Sequence, residues 1–471
     1  MFIAQLGRQP ELSIAELRAV FGDENVNQVA NDFATVNSAT FDLDKLGGTI
    51  KYGEIVETLP RTSSDANALM SASKFITTNY RKKWQNTTGK ITLGVSAYNL
   101  RVSPRAVQKI GLVLKSILKP KGINIRLIPN NEPALSTATS HNNRLGTSER
   151  KIELIIVRTN RGAIIAESRG VQNITTYTHR DRHRPRRDAF VGMLPPKLAQ
   201  IMLNLAVGAI GSATPSAQSS ISQAGSSLTD TADALDSPLT ESQSLRDGEL
   251  SSDATSRATK SSETSATRVS DGVNPTETRS EAVSEDFGGE NGSVIVLDPF
   301  CGTGTVLQEA LLHNFDVIGS DLSEKMATYT TENLNWLQKN FDTAGKVLYI
   351  SQADAVDHRW KQSKKISAVV CETYLGQPFS APPSPTKLKE VSGNCNHIIS
   401  KFLTNIHSQL QPGTPLCIAV PAWMSADGRF THLPLIKQLS KLGYERIISK
   451  PLLYHRPEQV VAREILVLKV K

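Results

Sequence analysis

The chain is poor in cysteine, holding four in 471 residues. Cys301, Cys371, Cys395 and Cys417 lie far apart and form no C-x-x-C pair, so neither a disulfide framework nor a zinc site is indicated, and no metal is expected. Buried, reduced thiols are the expectation. Nowhere does an apolar run reach the ~20 residues that a membrane-spanning helix needs, and the opening MFIAQLGRQPELS lacks the charged and apolar regions of a secretory signal. A soluble, cytoplasmic protein is expected. Large apolar residues are also scarce between residues 211 and 290, a stretch that instead holds 29 Ser and Thr. Such a composition cannot bury enough surface to offset the entropy of ordering the chain, so residues 211–292 are predicted to be a disordered insert between folded regions.

Outside that insert acidic charge is in deficit. The insert carries 14 acidic against 5 basic side chains, which leaves the rest of the chain near +17 against the formal +8 of the whole. A folded part this basic suits a polyanionic partner, RNA or DNA, whose counterions Lys and Arg displace. Charge alone does not separate the two.

The most informative run is Val294-Ile-Val-Leu-Asp298-Pro-Phe300-Cys-Gly302-Thr-Gly304-Thr305. It reads as an apolar strand that ends on a carboxylate, followed by a tight glycine turn and a helix carrying Val306, Leu307, Ala310 and Leu311 on its packing face. A second strand, Phe315 to Ser320, delivers Asp321, about 20 positions beyond the glycines, where a carboxylate can accept hydrogen bonds from ribose hydroxyls. A third, Val347 to Ile350, precedes Asp354 and Ala355. The turn lacks the third glycine of G-x-G-x-x-G and the Gly-Lys-Ser/Thr ending of a phosphate-binding loop, so a pyrophosphate is poorly served. A nucleoside without phosphates, such as S-adenosyl-L-methionine, fits better.

Asp298 to Gly304 resembles motif I of the class I methyltransferases, in the form found in RNA methylases that modify exocyclic amines. The resemblance implies a Rossmann-like α/β domain over residues 293–471, a parallel sheet with an antiparallel last strand. It also implies that Asp298 and the Gly302 and Gly304 backbone hold the methionine end of the cofactor, Asp321 the ribose, and Asp354 with Ala355 the adenine, with Phe300 and Leu322 beside them.

The N-terminal half alternates short strands and helices. A strand at Phe2–Leu6, a helix at Glu11–Phe21 and strands near Phe33 and Ile50 suggest a small α/β unit, followed by a strand at Ile91, a helix Pro104–Leu118 with Ser103 as its cap, and a hairpin through Gly162. This order resembles a ferredoxin-like domain (1–62) followed by a THUMP domain (63–172), an RNA-binding module of tRNA-modifying enzymes. Arg101, Arg105 and Lys109 gather at the start of one helix as candidate RNA contacts, although a row of charge on a helix is more often a solvated face. The linker and helix of residues 173–210 carry Tyr177-Thr-His-Arg-Asp-Arg182-His-Arg184-Pro-Arg186-Arg-Asp188 and Leu194-Pro195-Pro-Lys197-Leu-Ala. This run is similar to the one that precedes motif I in the THUMP-containing tRNA guanosine-N2 methyltransferases. By that likeness Pro195 and Lys197 border the cofactor, and Arg182, Arg184 and Arg186 lie near the substrate.

After the fourth strand, Ile366–Val370, amine methyltransferases carry Asp/Asn-Pro-Pro-Tyr/Phe. Its side-chain oxygen and a proline carbonyl accept the two amine hydrogens while the aromatic ring stacks on the flipped base. Here the sequence is Cys371-Glu372-Thr373-Tyr374-Leu375-Gly376, with both prolines gone. Aligning the glycine makes Glu372 the acceptor and Tyr374 the stacking ring; aligning the aromatic puts Cys371 at the carboxylate position. The first register keeps an acceptor and is favoured, so Glu372 and Tyr374 are the expected catalytic residues. The implied activity is transfer of a methyl group to guanine N2 in tRNA. Alternatives are a ribosomal RNA guanine-N2 or adenine-N6 methyltransferase, and a tRNA-binding protein with a weak methyltransferase site.

Overall fold

The computed structural model describes residues 1–188, 193–211, 293–361 and 363–471. The expectation of disorder over 211–292 therefore falls, apart from Gly211, outside the described residues.

The first 171 residues build one eight-stranded sheet of order β2-β3-β1-β4-β8-β7-β5-β6. In chain order the elements are β1 (Phe2–Leu6), α1 (Pro10–Phe21), β2 (Val26–Ala30), β3 (Phe33–Val36), β4 (Thr49–Pro60), α2 (Asp65–Lys83), β5 (Lys90–Tyr98), α3 (Pro104–Leu118), β6 (Asn124–Leu127), α4 (Thr137–Asn142), β7 (Lys151–Thr159) and β8 (Gly162–Val171). The two N-terminal segments read from the sequence share this sheet, because the long β4 pairs antiparallel with β1 on one side and β8 on the other. Ser103 caps α3 as the sequence suggests, its hydroxyl accepting from Ala106 N at 3.3 Å, with Pro104 at the first helical position. Inside the sheet a buried ion pair joins Lys51 Nζ to Glu153 at 2.7 Å, and Ser140 and Tyr98 satisfy the ammonium's remaining donors.

Next come α5 (Ile174–Arg182) and α6 (Pro196–Gly211). The latter is apolar apart from a stripe of Lys197, Gln200 and Asn204 that hydrogen-bonds the N-terminal region, which suits a helix enclosed by protein. Leu198, Met202, Leu205 and Ala206 join one core with Leu12 of α1 and with Val296, Val370, Ala419 and Ile465 from the second sheet. The approach to α1 is close enough that a Cβ on Gly208 would stand 2.4 Å from the Ala19 carbonyl oxygen.

The second sheet is assembled from β9 (Ile295–Asp298), α7 (Thr305–Leu312), β10 (Asp316–Asp321), α8 (Glu324–Asn340), β11 (Val347–Gln352), β12 (Ala368–Glu372), α9 (Pro385–His407), β13 (Pro415–Met424), β14 (Phe430–Thr431), β15 (Tyr444–Arg446), β16 (Leu452–Tyr454) and β17 (Val461–Val470). Its order is β11-β10-β9-β12-β13-β17-β15, with β14 on β13 and β16 on β17. Strands β9 to β13 pair parallel, and β17 enters antiparallel between β13 and β15. This is the parallel sheet with an antiparallel strand near one edge expected from the sequence, and its strand order reverses between β9 and β12. A crevice opens at such a reversal, beyond the carboxyl ends of the strands. Among the described residues no helix is long and apolar enough to cross a membrane.

Candidate functional site

A cavity of about 1050 Å³ occupies that crevice. Its floor is the turn after β9. Gly302 and Gly304 both take positive φ, +52° and +85°, the left-handed region that glycine enters without steric cost. Gly304 then starts α7, and its backbone N–H closes the turn on the Cys301 carbonyl at 2.7 Å. A carboxylate braces the loop from the neighbouring strand: Asp321 accepts from Gly302 N through Oδ2 and from Ser323 N through Oδ1, each at 2.9 Å.

Asp298 is 2% exposed and accepts from Phe300 N at 3.1 Å. Burial raises its pKa well above the ordinary carboxylate range, and the charges of Asp321 and Glu372 push the same way. Asp298, Asp321 and Glu372 thus converge at one end of the cavity, a field that favours a positively charged ligand. At the third strand end, Asp354 is exposed and accepts from Val356 N at 3.1 Å, while Ala355 is buried against the core. Phe300 sets its ring edge-on to Phe402 at 5.0 Å, and Leu322, 67% exposed, overhangs the cavity.

Glu372 lies at the end of β12, on the cavity wall with Thr373, Tyr374 and Gly376. Its Oε1 is paired with the Arg463 guanidinium from β17. Thr373 is buried; its hydroxyl and its N–H both donate to the Ala419 carbonyl, at 2.9 and 3.0 Å. Tyr374 is 42% exposed, so its ring is free to receive a flat group at the mouth.

The structure moves three of the expected residues. Arg184 is 3% exposed, donates to Thr305 Oγ1 at 2.8 Å and reaches Met193 Sδ at 2.9 Å, so it braces the first turn of α7 from behind and presents no surface to a phosphate. Burial also lowers its pKa. Pro195 and Lys197 do not line the cavity. The Lys197 ammonium turns toward Gln172 and the Tyr177 ring, because the start of α6 faces the N-terminal sheet. Arg182 and Arg186 remain exposed, as do Arg101, Arg105 and Lys109. The Arg186 side chain pairs with Glu332, and Asn333 grips its backbone on both sides, accepting from its N–H and donating to its carbonyl at 2.9 Å each. The same Asn333 amide donates to the Thr303 carbonyl at 2.8 Å, which ties the arginine segment to the glycine turn.

Several residues of the site carry no local sequence signal. Asp188 lines the cavity and pairs with Lys325 at 3.0 Å, while α9 turns Asn394, His397, Ile398 and Lys401 toward it. Only the apolar spacing of α9, which buries Val391, Cys395, Ile399 and Phe402, could have shown which of its faces looks outward.

No protein-family model matches the chain. The tRNA (guanine(10)-N2)-dimethyltransferase of Methanothermobacter thermautotrophicus is 31% identical over 155 residues, which make up 33% of this chain and 41% of that protein. The chain thus spans less than half the length of this curated relative. Solved structures with similarity include TrmN from Thermus thermophilus, at 14% identity and TM-score 0.47 over 100% of this chain and 99% of that one. Another is the magnesium protoporphyrin IX methyltransferase ChlM from Synechocystis PCC 6803 with bound SAM, at 16% identity and TM-score 0.26 over 38% of this chain and 71% of that one.

Proposed function

We propose that the protein is an S-adenosylmethionine-dependent methyltransferase that transfers a methyl group to the exocyclic N2 of a guanosine in tRNA. The observation that carries this reading is the convergence of Asp298, Asp321, Asp354 and Glu372, one from each of four adjacent strand ends, on a single cavity floored by the Gly302 turn. The donor set fits the cofactor. Asp321 keeps lone pairs for ribose hydroxyls, and the buried Asp298 with the partly buried Glu372 complements an ammonium and a sulfonium. No phosphate cradle is present in the turn. When bound, the cofactor supplies an electrophilic methyl group.

The chain's own residues then have to prepare the amine. Its lone pair is delocalised into the ring, and it becomes nucleophilic as the nitrogen pyramidalises with both hydrogens held by acceptors. Glu372 supplies one acceptor and the Thr373 carbonyl the other, while Tyr374 stacks on the extruded base. The exposed bases of α3 and of the 182–187 segment supply the electrostatic attraction for the polynucleotide. The 31% identity to a tRNA (guanine(10)-N2)-dimethyltransferase supports tRNA and guanine N2 over other targets.

One observation favours a second reading, a tRNA-binding protein with a weak methyltransferase site: Thr373 stands where the resemblance leads one to expect a proline. The deciding experiment offers labelled S-adenosylmethionine with total tRNA and, separately, ribosomal subunits. Incorporation into tRNA alone supports the proposal. Label in ribosomal RNA alone redirects it to that substrate, and tRNA binding without incorporation supports the second reading.

A further inference from the structure

We infer that Arg463 is a positioning residue for the proposed methyl transfer: it clamps one oxygen of Glu372 so that the other, Oε2, faces the amine. This rests on the methyltransferase reading.

The two residues are 91 positions apart and meet because β13 lies between their strands. Glu372 stands opposite Ala419, and Arg463 stands opposite Pro421 two residues further along β13, so the guanidinium reaches back over the small Ala419 side chain. Both side chains are largely enclosed, at 20% and 11% exposure, and they sit on the sheet face that α6 covers. An ion pair between enclosed side chains is screened far less than a surface pair.

Two needs at this point are met by one arginine. The first is geometric. Glutamate carries one more methylene than the aspartate or asparagine usual at this position, and catalysis is sensitive to misplacement on the order of 1 Å. A free glutamate would sample several rotamers there. A guanidinium at Oε1 selects one of them and leaves Oε2 on the cavity side.

The second need is electrostatic. Glu372 faces Asp298 from β9 and has Cys371 beside it on its own strand. At that end β13 brings only Ala419, Val420 and Pro421, and β16 sets Tyr454 opposite Arg463. Asp321, His397 and Lys401 line the same cavity from β10 and α9. Arg463 places a positive charge in direct contact with Glu372, against the field of Asp298.

The test uses the full chain as wild type, Arg463→Lys, Arg463→Gln, Glu372→Gln and the double variant Arg463→Gln/Glu372→Gln. Single-turnover methyl transfer to tRNA and S-adenosylmethionine binding by calorimetry are measured for each. Arg463→Gln is expected to slow transfer about tenfold or more while binding the cofactor within about threefold of wild type. Arg463→Lys is expected to restore most of the rate, and the double variant to be no slower than Glu372→Gln, because the arginine acts only through the glutamate. A wild-type rate in Arg463→Gln, or a double variant slower than Glu372→Gln by the full Arg463→Gln factor, overturns the inference while leaving the methyltransferase reading in place. If wild type methylates no RNA, the methyltransferase reading fails and the inference with it.

Discussion

Replacing Asp321 probes the cofactor end of the site and separates loop bracing from ligand binding. Each carboxylate oxygen already accepts one backbone N–H, from Gly302 and from Ser323, and each retains a lone pair for a ribose hydroxyl. Asparagine offers one oxygen. Its amide group then opposes one of the two backbone N–H groups, donor against donor, and one ribose hydroxyl loses a charged acceptor. A hydrogen bond to a charged group is worth ~1.5–3 kcal/mol, and each ~1.4 kcal/mol is tenfold in affinity. Asp321→Asn should therefore raise the Kd for S-adenosylmethionine roughly 10- to 100-fold, with a Tm drop of a few degrees for the ~1–2 kcal/mol lost in the loop. Titration calorimetry with S-adenosylmethionine and S-adenosylhomocysteine, alongside a thermal melt, measures both. S-adenosylhomocysteine should weaken to the same extent, since its ribose is identical. A Kd within about twofold of wild type together with a lowered Tm would refute the reasoning, because Asp321 would then brace the loop without touching the ligand.

Other expectations follow from the same geometry. Gly304→Ala forces a side chain into the left-handed region, at a cost of ~1–2 kcal/mol, and sets a Cβ 3.1 Å from Thr330; a melt should show a Tm lower by several degrees, with cofactor binding weakened. Arg182→Ala should reduce the salt slope of tRNA binding by about 0.7–0.9 if that residue meets one phosphate. Arg184→Ala should lower stability by ~3 kcal/mol, as loss of one partner of a buried polar contact does, and leave the salt slope unchanged, which filter binding at several salt concentrations would show. Burial pushes Glu16 up to about 7, against an unfolded value near ~4.3. Since the folded value is the raised one, this group's stabilisation is full below about pH 4 and declines as pH rises through 7. Chemical denaturation across pH 4–8 should show a shallower decline in Glu16→Gln.

Much of the C-terminal half was legible because the residues that make it are local. Apolar runs leading to Asp298, Asp321 and Asp354 mark strands whose ends must face a common edge once the sheet is parallel, and the expected antiparallel last strand is present as β17. In the N-terminal half, the cap at Ser103 and the hairpin at Gly162 were equally readable. Helix α2 was not anticipated: its buried face of Ala68, Leu69, Ala72, Ile76 and Tyr80 is interleaved with Ser, Thr and Asn, which blurs the apolar stripe. Nor did the sequence show that β4 would join β8 and merge two segments into one sheet, because register across strands about a hundred residues apart leaves no local mark.

The charged residues were the hardest to place. Composition shows that a run is basic but not which way each side chain turns. In the 180–187 segment, Arg180 pairs with Glu309 at 2.8 Å and Arg184 reaches Thr305, both buried, while Arg182 and Arg187 stay outside. Lys197 misled for a similar reason, since the start of α6 serves two interfaces and its lysine went to the N-terminal one. The Glu372–Arg463 pair is invisible in one dimension and is the feature that gives the altered pocket a physical logic.

The most direct measurement of the central claim is nucleoside analysis of tRNA after incubation with S-adenosylmethionine and either wild type or Glu372→Ala. The account predicts N2-methylguanosine with wild type and a loss of at least a hundredfold in its rate of formation with Glu372→Ala at saturating cofactor, in line with the ~10²–10³ cost of removing one preorganised polar group that acts in the transition state. Equal N2-methylguanosine from both proteins, or a methylated nucleoside other than guanosine, would contradict it.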